Sequence, residues 1–182
     1  MRNYKNGFFC FRVALPIAIF ATMLLSSCLI STEPYRKTRI FDLGTSESMN
    51  AKLNVGEFEN PGMYRHPFVY RVGDNEIIKD DYNKWAALPE NLVVTRLKSA
   101  FQSDKLKSIS INGKILKFEF DKERKLAIMQ ISYRIDRAEK LPCEGIFKSE
   151  KPFDEKEPSK MAEAMSLCMN EFITEISVKL KE

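Results

Sequence analysis

Two stretches of strict alternation, Ile115 to Asp121 and Leu126 to Ile135, constrain the fold more than anything else in the chain. In the first, Leu116, Phe118 and Phe120 fall on one side and Lys117 and Glu119 on the other. In the second, Ala127, Met129, Ile131, Tyr133 and Ile135 share a side. Successive side chains of a strand point to opposite faces, so a period of two marks a strand with one buried face. Asp121-Lys122-Glu123-Arg124 is the polar bend between them. The pair predicts an antiparallel hairpin whose apolar side has to be covered.

The C-terminal segment can supply the cover. Pro158-Ser159 opens it, with Ser159 the expected N-cap. Met161, Met165, Cys168, Phe172, Ile176 and Leu180 then recur at steps of three or four, and Met169 and Ile173 widen the stripe. That spacing is a strongly amphipathic helix. Its methionines at that spacing read as plain core, with an adaptable apolar surface for lipid as the alternative. A second helix is expected from Pro89 to Gln102, because proline costs nothing in a first turn. Val93, Leu97, Ala100 and Phe101 form its core face, with Arg96, Lys98 and Gln102 left wet.

Shorter strands precede these elements. Arg39 to Leu43, closed by Gly44, and Ala51 to Phe58 read as strands. Phe68 to Val72 and Glu76 to Lys79 flank Gly73-Asp74-Asn75 as a hairpin. Ser108 to Ile111 is a short strand before an Asn112-Gly113 turn, and Ile146 to Ser149 is a short strand between proline-containing stretches. The expected class is α+β: a mostly antiparallel or mixed sheet with two amphipathic helices packed on one face.

The N-terminal residues have a different character. Arg2, Lys5 and Arg12 precede a 13-residue apolar run, Val13 through Leu25, and then Ser26 and Ser27. This is the layout of a secretory signal peptide, and the run is shorter than the roughly 20 residues a membrane span needs. Leu25-Ser26-Ser27-Cys28 resembles the bacterial lipobox, which implies cleavage before Cys28, a diacylglycerol thioether on its sulfur and a third acyl chain on its amine. Two or more chains give stable anchoring where one does not. Residues 1–27 are therefore expected as a lipoprotein signal peptide, 28–38 as acylated cysteine and tether, and 39–182 as a single domain. Leu29, where an Asp would favour retention at the inner membrane, points to the outer membrane of a Gram-negative-type bacterium, with the domain facing the periplasm.

Composition narrows the chemistry. Three of the 29 basic residues and none of the 25 acids lie in the first 27 positions, so the remainder is close to neutral. A nucleic-acid binder needs a basic stripe that survives processing, and none is expected. The single histidine, His66, sits before Pro67 with no nucleophile motif beside it. A multi-histidine metal site cannot be built, and no cofactor or metal is expected. Asp80 and Asp81 are adjacent, so an extended chain points them apart and away from paired acid–base work. No catalytic residue is assigned, and an enzyme is not expected. Cys143 and Cys168 are either a disulfide, in keeping with an oxidising compartment, or free, with Cys168 a buried small residue.

The order of the segments resembles the ABC-type transport auxiliary lipoprotein family. The resemblance rests on the lipobox, Phe41-Asp42-Leu43-Gly44, Met63-Tyr64-Arg65, Asp81-Tyr82-Asn83-Lys84-Trp85-Ala86 leading into a proline and a helix, Leu116-Lys117-Phe118-Glu119-Phe120, and Met161-Ala162-Glu163-Ala164-Met165. Glu59-Asn60-Pro61-Gly62 departs from the Leu-Pro usual ahead of the Tyr-Arg strand. The resemblance implies a membrane-anchored, non-catalytic subunit that contacts the MCE-domain protein of an ABC transporter. Such systems move phospholipids or other hydrophobic molecules between inner and outer membranes. A homo-oligomer is compatible with that role. Tyr64, Arg65 and Trp85 are candidate partner contacts; each also suits plain strand or core packing. An alternative is an outer-membrane lipoprotein that supports another envelope machine.

Overall fold

The expected hairpin is the spine of the sheet. In the computed structural model, which describes residues 36–45, 47–103, 109–138 and 140–182, the strands are β1 (Arg39–Phe41), β2 (Asn54–Glu59), β3 (Pro67–Val72), β4 (Glu76–Trp85), β5 (Ser110–Asp121), β6 (Leu126–Arg137) and β7 (Lys140–Pro152). The helices are α1 (Pro89–Ala100) and α2 (Pro158–Lys179). Cys28, the leader and Ser108 lie outside the described residues.

The seven-stranded sheet is mixed and open, with order β1-β4-β3-β5-β6-β7. β2 and β3 share one edge of β5, both parallel to it. β2 takes Ser110 to Lys114, and β3 takes Phe120 and Asp121. β1 runs parallel to β4, and the pairs β3–β4, β5–β6 and β6–β7 are antiparallel. The class is α+β, as the alternation and the helical stripes imply.

Both helices lie on the face made by Ile111, Ile115, Phe118 and Phe120 of β5 and by Ala127, Met129, Ile131, Tyr133 and Ile135 of β6, all buried. Phe172 of α2 meets Phe58 of β2 at 6.4 Å, Tyr133 of β6 at 5.8 Å and Phe147 of β7 at 5.0 Å between ring centroids. One side chain thus clamps three strands, and burying such a ring contributes about 2–3 kcal/mol. Met161, Met165 and Met169 are buried, so they belong to the core.

Several local expectations are corrected. The β5–β6 register shifts between Ile115 and Lys117, so Ile115, not Leu116, shares the core face with Phe118 and Phe120. A β-bulge adds one residue and restarts the alternation. Asn112-Gly113 is no turn but the interior of β5. Asn112 Oδ1 accepts the Glu57 N–H at 3.1 Å, and a Cβ on Gly113 would lie 2.5 Å from the Phe58 ring and 2.7 Å from the Ser132 carbonyl oxygen. β7 runs unbroken from Lys140 to Pro152, prolines included, because an edge strand tolerates residues without an N–H. Ser159 does not cap α2; Glu157 occupies the N-cap with no side-chain bond. α1 ends at Ala100, and Arg96, expected to be wet, is 2% exposed.

Candidate functional site

The residues singled out by the sequence converge on the edge of β5 that β2 and β3 share. The connection from Asn60 to His66 bridges the gap between those strands. Asn60 pins it by donating to the Tyr64 carbonyl at 2.6 Å and to Glu90 of α1 at 2.8 Å. Tyr64 is thereby buried, and its hydroxyl donates to Glu119 at 2.9 Å. Glu119 has no exposed surface, although alternation puts it on the face away from the helices. Arg71 of β3 grips both its oxygens, at 2.7 and 2.9 Å, and also donates to the Asp74 carbonyl. A carboxylate can be buried there because a charged fork and a hydroxyl replace its water. Burial, and then the Glu119 charge, push the Tyr64 phenol far above its usual range, while the hydrogen bonds to Glu119 raise Arg71 further.

Trp85, at the end of β4, is buried with Phe68, Phe118 and Phe120 at 4.5, 5.1 and 6.2 Å. Its backbone N–H donates to the His66 carbonyl at 2.6 Å, and the His66 ring lies 3.2 Å from the Trp85 carbonyl. Tyr64 and Trp85 therefore pack; they do not offer themselves to a partner. Of the three candidate contacts, only Arg65 faces outward. It lies beside Pro67, which shares the partner Lys84 with Ile40 of β1. Ile40 is 71% exposed, so an apolar and a cationic side chain flank the strand where the chain enters the sheet.

Asp80 collects the Tyr70 hydroxyl at 2.9 Å, the Asn83 side chain at 2.7 Å and the backbone N–H groups of Tyr82 and Asn83. Burial alone raises its pKa, but these donors outweigh it and the net shift is downward. Asp80 therefore shapes the irregular end of β4, and Asp81 is exposed beside it. Cys143 and Cys168 are free thiols, so the bridge left open by the sequence is not made. Cys168 lies under the Ala127 carbonyl, whereas Cys143 pairs with Ile135. Those points are eight residue steps apart along β6, a span of about 26 Å.

No local pattern signals that Glu119 is buried, since nothing in spacing reveals a connection crossing that face. Arg96 had a signal. It falls three residues after Val93 and so lies on the buried stripe. Its Nη2 donates to Asn170 of α2 at 2.5 Å, while Nε and Nη1 lack a hydrogen-bond partner among the described residues. Burial lowers its pKa, and the charge of Asp42 partly offsets this.

No family model and no curated protein matches this chain. Solved structures do. One, described as an uncharacterized protein, is 12% identical with a TM-score of 0.69, covering 79% of this chain and 99% of its own. Another is protein XCC0632 from Xanthomonas campestris, assigned to the family DUF330. It is 13% identical with a TM-score of 0.59, covering 82% of this chain and 89% of its own. At these identities the likeness establishes the fold alone.

Proposed function

We propose that this chain is a membrane-anchored, non-catalytic auxiliary lipoprotein of an MCE-type ABC transport system for phospholipids or other hydrophobic molecules. One observation carries the reading: Leu25-Ser26-Ser27-Cys28 stands ten residues ahead of a folded domain whose first strand is β1. Acylated at Cys28, the chain is held to a periplasmic membrane surface, with the outer membrane favoured by Leu29. A tether of that length reaches up to about 35 Å when extended, enough to lift the domain clear of headgroups. The carboxylates in the most unusual surroundings, Glu119 and Asp80, are committed to holding the sheet together, which agrees with a binding role. The MCE partner follows from the family resemblance, and its docking patch is assigned to Arg65 and Ile40.

The test is in-cell photocrosslinking from positions 65 and 40 of the full chain. An MCE-domain protein among the trapped species supports the reading. A component of an unrelated envelope machine, or no partner at either position while the protein is membrane-bound, removes it.

A further inference from the structure

β7 ends the sheet and pairs, among the described residues, only with β6. Which way its backbone groups point can be worked out. The Phe153 N–H donates to the Lys125 carbonyl at 3.1 Å, and the β6–β7 register is unbroken from Pro152 back to Cys143. Antiparallel bonding alternates, so Cys143, Gly145, Phe147, Ser149 and Lys151 bond toward β6. Glu144, Ile146, Lys148 and Glu150 send their N–H and C=O groups outward. Pro152 takes an outward position too, where its missing N–H breaks no bond within the sheet. The stretch between Pro142 and Pro152 is an open edge, the kind proteins usually blunt.

The side chains of that edge are self-complementary. Glu144, Ile146 and Lys148 project from the face away from the helices, and Ile146 is 66% exposed. Within the chain Glu144 accepts from Arg134 at 3.1 Å and Lys148 lies 2.9 Å from Glu150; both are surface pairs that a facing copy extends into a ladder of alternating charge. A two-fold axis through Ile146 sets Ile146 against its own copy and Glu144 against Lys148 of a second copy, twice. Every other in-phase register is worse. Moving the axis one residue toward the C-terminus pairs Glu144 with Glu150. Moving it one residue the other way sets Glu144 against Ile146 and Pro142 against Lys148. Centring it on 144 or 148 opposes like charges. The helix layer agrees. Leu167 and Val178, each about half exposed, lie on the stripe of α2 that carries Glu171. Glu171 bonds Ser149 of β7 at 2.6 Å, which places that stripe along the same edge. The same axis brings Leu167 of one α2 toward Val178 of the other.

We propose that two copies of this chain join edge to edge through antiparallel pairing of β7 about Ile146, giving one continuous sheet with about six new backbone hydrogen bonds. The symmetry is closed and isologous, so assembly stops at a dimer at this edge. The opposite edge, β1 with the exposed Ile40, stays open to a different partner, and the dimer does not depend on acylation at Cys28.

The test uses the full chain, purified in mild detergent and weighed by native mass spectrometry, with Trp85 fluorescence confirming the fold. The wild type is expected as a dimer at tens of micromolar. Glu144→Lys or Lys148→Glu alone opposes like charges and is expected to weaken the dimer at least tenfold. The double swap restores the pairing and the dimer. Ile146→Cys is expected to form a disulfide-linked dimer in membranes, whereas Ile40→Cys is not. A monomeric wild type, single swaps without effect, a double swap that fails to rescue, or an assembly indifferent to all β7 variants overturns the proposal.

Discussion

The guanidinium of Arg71 holds the fully buried carboxylate of Glu119 at 2.7 and 2.9 Å, tying β3 to β5 where the two strands barely overlap. Removing Arg71 takes away both charged hydrogen bonds and leaves the buried carboxylate with only the partly exposed Lys117, 4.0 Å away, as a cationic neighbour. Arg71→Met is therefore expected to destabilise the domain by about 3 kcal/mol. Tyr64→Phe, which removes one of three donors, is expected to cost about 1 kcal/mol. Urea unfolding followed by Trp85 fluorescence measures both. An Arg71→Met variant as stable as the wild type would contradict the assigned role.

Gly113 sits in the middle of β5 with no room for a methyl group. Its neighbours include the Ser132 backbone oxygen, which cannot rotate away. Gly113→Ala is expected to destabilise by about 1–3 kcal/mol, as overpacked sites do. Trimming the Phe58 ring in the same chain does not rescue it, because the clash with β6 remains. Thermal unfolding of the single and double variants distinguishes the two contacts.

The Asp80 cluster gives the domain an acid-sensitive element. A carboxylate with a lowered folded-state pKa contributes stability in full above its unfolded value and loses it as pH falls through the folded value. The window therefore lies below about pH 4. Urea midpoints are expected to hold between pH 7 and 5 and to fall below pH 4. Asp80→Asn is expected to lower stability at pH 7, and its difference from the wild type is expected to narrow progressively as pH falls below 4.

The two described cysteines differ in surroundings. Burial raises the Cys168 thiol, while Cys143 is half-buried in edge strand β7. Thiol labelling of the folded chain without reductant is expected to modify Cys143 quickly and Cys168 only on unfolding. Mass shifts resolved by peptide report each site. Failure to label either cysteine under denaturing, non-reducing conditions would show that they are bridged after all.

Periodicity revealed the hairpin and both helices because each has one buried face, and apolar spacing records a buried face directly. It failed where tertiary contacts decide. The bulge at Leu116 restarts the alternation, and only the partner strand β6 fixes its position. Asn112-Gly113 has the composition of a turn but sits in β5, because the Phe58 ring and the β6 backbone need a residue without a side chain. The prolines at 142 and 152 hid β7, since composition does not say which strand is an edge. Tyr64 and Trp85 were legible as strand or core-packing aromatics as well as candidate contacts, with nothing local to decide between the two. Tyr64 is buried by the path of the Asn60–His66 connection and Trp85 by the aromatic side chains of β3 and β5, and no local pattern encodes either.

Attachment through Cys28 is the central claim, and it can be weighed directly. Mass spectrometry of the chain recovered from membranes of its own host is expected to find Cys28 as the first residue, carrying a diacylglycerol on sulfur and an acyl chain on its amine. Cys28→Ser is expected to leave the precursor unprocessed. An unmodified chain that starts at another residue and is recovered from the soluble fraction would contradict the account.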